Sequence, residues 1–501
     1  MPASASEIEN TTQQLHVGGV PTPPLSGRYL DSYDPSTGRP WYRAADAGSE
    51  DVDRAVEAAH RALQDPAWRR ITQSERGRLL GRLADLIAEH HALLAEIETR
   101  DNGKLIREMR AQVAYLPDVY HYFAGMADKL QGDVIPINKR DMLNFTVREP
   151  VGVVAVIVPW NSPLYVMSGT VAPCLAIGNT VVVKPSEHTS ASALAFAELV
   201  AMAGFPPGTF NVVTGYGHGA GESLARHPKV AKVAFTGGTE TGRRVAASAA
   251  EHLAPTTMEL GGKSPHVVFE DADLDRAANG LVAGIFAAAG QSCVAGSRCF
   301  IQRKVHDEVV DRLLARSRAI RIGHPLEEET QLGPLALEAQ LEKVKRYVGY
   351  AKADGARLVI GGKQPSGFGG GWYYEPTIFT GVANDMRLAR DEIFGPVAAI
   401  LAFEDERELV RLANDTTYGL AAGLWTRDID RALRLARDID AGTVWINTYR
   451  TASFMSPMGG FKESGYGKHN GFEAMREYSR LKNVMIDYSG TTQDAFVMRV
   501  R

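Results

Sequence analysis

One stretch of the chain constrains its fold more than any other. Residues 151–158, VGVVAVIV, form an unbroken apolar run, which suits a strand buried on both faces as in a parallel sheet. Three further strand candidates follow at 180–184 (TVVVK), 210–214 (FNVVT) and 232–237 (KVAFTG), with room for a crossover helix before each. This alternation of strand and helix predicts an open α/β nucleotide-binding domain.

A second α/β domain is predicted after about residue 265. Its strand candidates are PHVVF, RCFIQ, ARLVIGG, AAILAFE and GTVWIN, and helical segments such as DEVVDRLLARSRAI lie between them. The segments VDRAVEAAHRAL and ERGRLLGRLADLIAEHHALLAEI precede the first domain and have helical spacing, with a stop at Asn102-Gly103. The first residues are expected to be a loose tail, and the late strand KNVMIDYS has no local partner.

Composition excludes several classes of protein. The 501 residues are 45% apolar and 23% charged with a net charge of −4, so the chain is globular and nucleic-acid binding has no electrostatic support. The longest apolar runs are shorter than the ~18 residues that cross a bilayer, so no membrane association is expected. With three scattered cysteines and no leader-like start, a cytoplasmic location is expected.

No metal site is expected either. The thirteen histidines include no ligand pattern such as H-E-x-x-H. DADLD at 271–275 opens like a calcium loop, but Arg276 and Val282 stand where glycine and glutamate are needed, so a helix start is the better interpretation.

Three residues are candidates for catalysis, each with a plain structural alternative. Cys293 in GQSCVAG has small neighbours that would let a ligand approach, although a free cysteine is more often a buried structural residue, as Cys174 is expected to be. Glu259 in MELGGKSP precedes two glycines that leave space for a water, or it is a surface residue before a turn. Asn161 in PWNSP follows the first buried strand and could donate to an oxyanion, or it belongs to a proline-bounded turn.

Two further segments suit a nucleotide. FTGGTETG at 235–242 joins a strand to a helix and would offer backbone amides to phosphate, although its spacing is not G-x-G-x-x-G. KPSE at 184–187 offers Lys184 as a donor and Glu187 as an acceptor for ribose hydroxyls, with a helix cap as the alternative.

Taken together, PWNSP, KPSE, FTGGTETG, MELGGKSP, GQSCVAG, EIFGP and SPMGGFKESGYG resemble, in order and spacing, the aldehyde dehydrogenase superfamily, from about residue 25 to residue 490. The resemblance implies two open-sheet α/β domains, one for cofactor binding and one catalytic, and a small β oligomerisation element. It implies a tail at 1–24, an NAD-binding domain at 25–130 and 151–259, a catalytic domain at 260–471, and an oligomerisation element at 131–150 and 472–495. A homodimer or homotetramer is implied, with KNVMIDYS gaining its partner across a subunit interface.

The resemblance also implies roles for individual residues. Cys293 would be the nucleophile toward a small-molecule aldehyde, Asn161 and the Cys293 amide would hold the oxyanion, and Glu259 would activate the water that cleaves a thioester. The cofactor would be NAD, with NADP possible. The residues implied to hold it are Trp160, Lys184, Glu187, Gly237, Gly242, Gln340, Glu392 and Phe394, with Lys343 nearby.

Departures from the family pattern concern the substrate. Ser162, Gly169 and Ala452 stand where many relatives carry aromatic residues, so a wide tunnel is expected, with Tyr115, Met458 and Arg450 as its larger side chains. A bulky apolar or aromatic aldehyde, or a semialdehyde whose anionic group meets Arg450, would fit it. His469 stands where some relatives have a second glutamate, which puts a proton relay there in doubt.

Three other functions remain open from the sequence. A CoA-acylating relative usually lacks a glutamate at the position of Glu259, and a catalytically silent relative would not need thiol, amide and carboxylate together. A cysteine hydrolase would need a histidine partner, and none lies near Cys293 in the sequence.

Overall fold

The computed structural model describes residues 2–492 and 494–498, and an eight-stranded sheet forms the core of its first domain. The five central strands are parallel, and the strands at both edges are antiparallel. The strand Val153–Ile157 is buried along its whole length, as its apolar sequence predicts. In sheet order the strands are Gly465–Tyr466, Thr256–Glu259, Val230–Thr236, Val153–Ile157, Thr180–Lys184, Phe210–Val212, Leu15–Val17 and Val20–Thr22.

Helices cover this sheet and extend on its N-terminal side. Pro163–Ile177 is apolar all round and buried, and it ends at Gly178, whose φ of 104° suits glycine. Gln73–Glu89 begins with a capping box between Thr72 and Glu75. The other helices of this part are Ala5–Ile8, Ser49–Gln64, Pro66–Arg69, His91–Asn102, Ile106–Ala114, Leu116–Met126, Ala191–Met202, the π-helical turn Gly217–Gly221, Glu222–Ala225 and Thr239–Ala250.

A seven-stranded sheet forms the second domain. All neighbours are parallel except the first pair, and the order is Arg357–Ile360, Thr377–Thr380, Val397–Phe403, Arg298–Gln302, Pro265–Val268, Ala421–Trp425 and Thr443–Ile446. Its helices and helical turns are Leu274–Phe286, Ala287–Gly290, Arg303–Val305, His306–Arg318, Glu338–Ala353, Arg387–Arg390, Glu406–Asn414 and Ile429–Asp438, whereas Gly471–Glu477 packs against Pro163–Ile177 of the first domain. Asp273 caps Leu274–Phe286, so DADLD is a helix start as interpreted from the sequence.

The N-terminal segment is not a loose tail. Leu15–Val17 pairs with the end of the first sheet, where His16 lies opposite Val212, and Leu15 has no exposed surface. The expectation for residues 1–24 was wrong because this pairing joins segments almost two hundred residues apart, which local patterns do not reveal. A small sheet of Thr12–Gln13, Tyr29–Asp34 and Arg39–Ala45 follows.

The late strand also finds its partner within the chain. Ser479–Asp487 pairs antiparallel with Met142–Pro150 along its full length. This pairing occupies one edge of the late strand, and the expected partner across a subunit interface stays a prediction. Within the predicted element at 472–495, Gln493 lies outside the described residues. Tyr418–Gly419 and Phe461–Lys462 form a further short pair.

The described residues contain neither a helix that could span a membrane nor a side-chain cluster that could hold a metal ion. Over 2–492 and 494–498, no helix is both long and apolar enough to cross a membrane. In the same part of the chain, no group of three or more His, Cys, Asp or Glu side chains is arranged to hold a metal ion.

Candidate active site

Three contacts from different parts of the chain hold the loop that carries Cys293. Asn161 Nδ2 donates to the Gln291 carbonyl at 3.0 Å. Gly262 lies so close that a Cβ there would sit 2.5 Å from the Cys293 carbonyl oxygen. The Tyr449 hydroxyl donates to the Val294 carbonyl at 2.8 Å. Contacts from both domains thus converge on one short loop.

Cys293 differs from the other cysteines in its exposure. It is partly exposed, whereas Cys174 and Cys299 are fully buried. Burial raises the pKa of the Cys293 thiol well above its ordinary value, and the carboxylates of Glu259 and Glu392 raise it further. The resting thiol is therefore protonated at neutral pH, and it must lose its proton when it attacks.

Glu259 ends the strand Thr256–Glu259 and is only 8% exposed. Its Oε1 has no hydrogen-bond partner, and the missing side chain of Gly459 leaves it space, since a Cβ there would lie 3.1 Å from this oxygen. Burial raises the pKa of Glu259 to about 8, opposed by the charge of Lys468. Such a carboxyl can exchange a proton with a water near neutral pH.

Asn161 is half-buried and adjoins the cysteine loop through Gln291. Its amide nitrogen carries two hydrogens, of which the Gln291 carbonyl takes one. The second can serve an oxyanion on a substrate bound to Cys293. Asn161 thus adjoins the Cys293 loop through a hydrogen bond, and Glu259 lies near enough for its charge to act on the Cys293 thiol.

The residues predicted for the cofactor ribose form two groups. Lys184 and Glu187 make an ion pair at 3.1 Å at the end of the strand Thr180–Lys184. Burial acts to raise the pKa of Glu187, but the ammonium of Lys184 and its own backbone amide hold it below its ordinary value. Glu392 accepts a hydrogen bond from the Gly262 amide at 3.0 Å. An acceptor beside the glycine pair and an acceptor beside the buried lysine suit the two riboses of a dinucleotide.

An aromatic pair connects the segment that carries Asn161 with the loop that carries Phe394. Trp160 and Phe394 meet edge to face, with ring centroids 5.2 Å apart. Phe394 has a φ of 61°, a conformation that only firm support maintains in a residue other than glycine. Gln340 gives this support, because its Nε2 donates to the carbonyls of Ile393 and Phe394, each at 2.7 Å. Gln340 therefore orients the loop that carries Phe394, and its expected contact with the cofactor stays a prediction.

The two glycines predicted to lie near phosphate have their amides engaged inside the protein. Gly237 donates to the Glu259 carbonyl at 3.1 Å, and Gly242 donates to the Gly238 carbonyl at 2.9 Å. A Cβ on Gly242 would lie 2.5 Å from Leu260, so this glycine serves close helix packing. The proximity of Gly237 and Gly242 to a phosphate stays a prediction, and the amides available to bind it are those in the first turn of Thr239–Ala250, which lack intrahelical acceptors.

The space expected at Gly169 is filled. A Cβ there would lie 3.4 Å from Asn470 Oδ1 and 3.5 Å from His469 Nδ1. This corrects the expectation of an open wall, because a methyl group at this position would already be in van der Waals contact with both residues and a bulkier side chain would meet them. Burial lowers the pKa of His469 to about 4, so its imidazole is neutral.

The other predicted tunnel residues are spread from the interior to the surface. Ser162 is buried, and Lys104 donates to its hydroxyl. Arg450 is paired with Glu108 at 3.3 Å, which neutralises part of its charge, and its expected contact with an anionic substrate stays a prediction. Ala452 is exposed, and Met458 is half-buried in a β-bridge with His469.

Tyr115 belongs to an aromatic group. Its ring lies 5.3 Å from that of Phe454 and 6.4 Å from that of Tyr165, and its hydroxyl accepts from the Phe454 amide at 3.0 Å. Tyr122 also contacts Phe454, with ring centroids 5.3 Å apart. This group supplies the apolar surface nearest to the predicted tunnel.

Sequence reasoning missed two residues at the site. Lys104, which directly follows the helix stop Asn102-Gly103, is buried, and its ammonium interacts electrostatically with the Cys293 thiolate. Its only sequence signal is a lysine placed next to that stop. Tyr449 lies more than 150 residues after the loop that it contacts, and no local pattern points to it.

Comparisons with known proteins agree with this geometry. The model of the aldehyde dehydrogenase family matches residues 23–484. A (Z)-2-((N-methylformamido)methylene)-5-hydroxybutyrolactone dehydrogenase of Acinetobacter baylyi is 46% identical over 94% of this chain and 96% of its own length. A betaine aldehyde dehydrogenase of Mesorhizobium japonicum is 46% identical over 92% and 96%. The crystal structure of a Staphylococcus aureus betaine aldehyde dehydrogenase in complex with NAD+ has a TM-score of 0.95 at 36% identity, covering 97% of each chain.

These matches confirm the predicted α/β fold class, the resemblance on which it was based and the expectation of an NAD(P) cofactor. The chain belongs to the aldehyde dehydrogenase family and is an NAD(P)-dependent oxidoreductase that acts on aldehydes.

Proposed function

We propose that this enzyme oxidises its aldehyde to the carboxylic acid through a thioester on Cys293. The observation that supports this is the setting of the thiol: Cys293 is partly exposed, Asn161 donates to the carbonyl of Gln291, and the charge of the unpartnered Glu259 carboxyl acts on the thiol. As Sγ bonds to the aldehyde carbon, the thiol proton passes to solvent and the π pair of the C=O bond moves to the oxygen. The oxyanion accepts hydrogen bonds from Asn161 Nδ2 and the Cys293 amide.

The second half of the reaction uses Glu259. When bound, NAD supplies the hydride acceptor, so oxidation leaves the carbonyl carbon as a thioester. Glu259 in its ionised form takes a proton from water, whose oxygen attacks the thioester carbon. The C–S bond then breaks, the thiolate is reprotonated, and the acid leaves.

Cofactor preference is proposed to rest on Glu187. The carboxylate is ionised at neutral pH and can accept hydrogen bonds from ribose hydroxyls, whereas a 2′-phosphate would be repelled. The paired Lys184 offsets only part of this repulsion, because one of its donors is already engaged by Glu187. NAD is therefore the proposed cofactor, with NADP used less well.

A bulky apolar or aromatic aldehyde, or a semialdehyde, is the proposed substrate. The support is the aromatic group of Tyr115, Tyr165 and Phe454, which can bury a large apolar body. His469 and Asn470 lie beside Gly169, and Arg450 is paired with Glu108. The main support for the proposed substrate class is therefore the aromatic group. The relatives reported above are named for chemically different compounds, a butyrolactone and betaine aldehyde. Sequence similarity to them therefore does not identify the substrate of this enzyme.

A homodimer or homotetramer is proposed from the two-stranded ribbon. Ser479–Asp487 lies at a sheet edge and carries Leu481 and Met485, which are about half exposed. An edge strand with exposed apolar residues favours pairing with another copy. Light scattering coupled to size-exclusion chromatography tests this, and a monomer at micromolar concentration would contradict it.

The reaction itself is tested with a panel of aldehydes. NADH absorbance is followed with acetaldehyde, a long aliphatic aldehyde, an aromatic aldehyde, a semialdehyde acid and betaine aldehyde, each with NAD, NADP and added CoA. We expect CoA-independent NADH formation and a higher kcat/KM for the larger substrates. Dependence on CoA would favour the acylating alternative, and equal use of acetaldehyde would contradict the proposed substrate class.

A further inference from the structure

A stack of aromatic rings lies beneath the cysteine loop. The rings of His266 and Tyr449 are parallel, with centroids 3.9 Å apart and an interplanar angle of 16°. Trp425 Nε1 donates to His266 Nε2 at 2.7 Å, which fixes the imidazole from its other side. The stack ends at the Tyr449 hydroxyl, which donates to the carbonyl of Val294, the residue after the nucleophile.

Glycines allow the stack to pack so closely. A Cβ on Gly423 would lie 2.4 Å from the Tyr449 ring, and a Cβ on Gly296 would lie 2.6 Å from His266 Nδ1. Gly284 is similarly close to both rings, at 2.8 Å from His266 Nδ1 and 3.2 Å from Tyr449 Cδ1. Since the backbone of three segments is fitted to these rings, the Tyr449 hydroxyl has little freedom to move.

The charge states of the stack suit this arrangement. Burial lowers the pKa of His266 to about 3, so the imidazole is neutral and its Nε2 accepts the indole hydrogen. Burial raises the pKa of Tyr449, so its hydroxyl keeps the hydrogen that it donates. The contact therefore persists across the working pH range.

We propose that Tyr449 is a positioning residue for the reaction, which fixes the Val294 carbonyl so that the adjoining Cys293 amide and thiol keep their orientation toward the oxyanion. This inference rests on the proposed role of Cys293. Asn161 fixes one end of the loop at Gln291 and Gly262 contacts its middle, so Tyr449 completes the restraint at the far end. Loss of its hydroxyl would loosen the peptide units beside the nucleophile without touching substrate or cofactor.

The test compares Tyr449→Phe, which keeps the ring stack, with Tyr449→Leu, which removes ring and hydroxyl. Acylation is followed in single turnovers with p-nitrophenyl acetate, because an activated ester acylates a thiol without any cofactor. We expect both variants to be acylated about tenfold more slowly than wild type, equivalent to ~1.4 kcal/mol in the barrier. The NADH burst should slow by a similar factor, with the KM for NAD unchanged.

Thermal unfolding shows whether a Tyr449 variant is destabilised. A control variant outside the site shows whether loss of any tyrosine hydroxyl slows acylation. Tyr29→Phe removes a tyrosine hydroxyl that donates to Gln14 at 3.1 Å, far from this loop in sequence and outside the site, and it should be acylated at the wild-type rate. Wild-type acylation of Tyr449→Phe would overturn the proposal, even if Tyr449→Leu were impaired or unfolded. If Cys293→Ser were still acylated at the wild-type rate, the proposed function would fail instead.

Discussion

The raised pKa of the buried Glu259 carboxyl predicts how strongly turnover depends on pH. With a pKa of about 8, Glu259 is ionised in roughly a tenth of molecules at pH 7 and nine-tenths at pH 9. Only the ionised form can take a proton from water. Where cleavage of the thioester limits turnover, kcat should therefore rise about tenfold between these pH values, with an apparent pKa near 8.

Glu259→Gln tests this with an uncharged side chain of the same shape. Stopped-flow absorbance should still show a burst approaching one NADH per active site, because water enters only after oxidation. Steady turnover should fall by about 10²–10⁴-fold, the usual contribution of a general base, and should lose its dependence on a pKa near 8. Glu308→Gln, an exposed carboxyl on a surface helix, is the matched control and should behave as wild type.

Two results would refute this reasoning. Loss of the burst in a variant that still binds NAD would mean that Glu259 also serves acylation. An unchanged pH profile in the variant would assign the titration to another group.

Stability offers an independent check on the same pKa. The folded chain holds a proton at Glu259 that the unfolded chain has lost, so this group lowers stability as pH rises from about 4.5 to about 8. Glu259→Gln should lack that loss when unfolding by urea is measured at pH 5 and pH 8.5.

Three further predictions concern other residues. Cys293→Ser should abolish NADH formation while Cys174→Ser leaves most of it, and full activity of the first variant would remove the proposed nucleophile. Wild type should show a kcat/KM at least about tenfold higher with NAD than with NADP, and Glu187→Ser should narrow this ratio by relieving the repulsion of a 2′-phosphate. Equal use of both cofactors would contradict that assignment. Gly262→Ala should destabilise the chain by about 1–3 kcal/mol in urea unfolding and reduce the burst rate, because its Cβ would press on the Cys293 carbonyl; wild-type stability and burst rate would show that the loop can move aside.

The central strands were predictable because burial on both faces requires a run of apolar residues within each segment. Val153–Ile157 is a strand in the structure as its apolar run predicts, and RCFIQ matches Arg298–Gln302 at both ends. Two strands of the second sheet were missed. Ala421–Trp425 contains two alanines and a glycine, and Thr377–Thr380 is short and follows proline, so neither carries a strong local signal.

Pairings between distant segments produce no recognisable sequence pattern within either segment. Leu15–Val17 completes an edge of the first sheet, and Met142–Pro150 pairs with Ser479–Asp487 far along the chain. Each pairing depends on where the rest of the chain has placed a free edge. The expectation of a loose tail for the first residues therefore failed, and the strand KNVMIDYS was predicted without its partner within the chain.

The candidate site shows the same division between local chemistry and distant geometry. Cys293, Glu259 and Asn161 could be named because each stands in a motif with unusual small or polar neighbours. The volume beside Gly169 could not be inferred, because a missing side chain creates space only if no neighbour fills it, and His469 and Asn470 do. Arg450 likewise has the charge expected for an anionic substrate but is paired with Glu108. We therefore expect that replacing one residue of the predicted tunnel changes the substrate range only where no neighbouring side chain has already filled the space beside it.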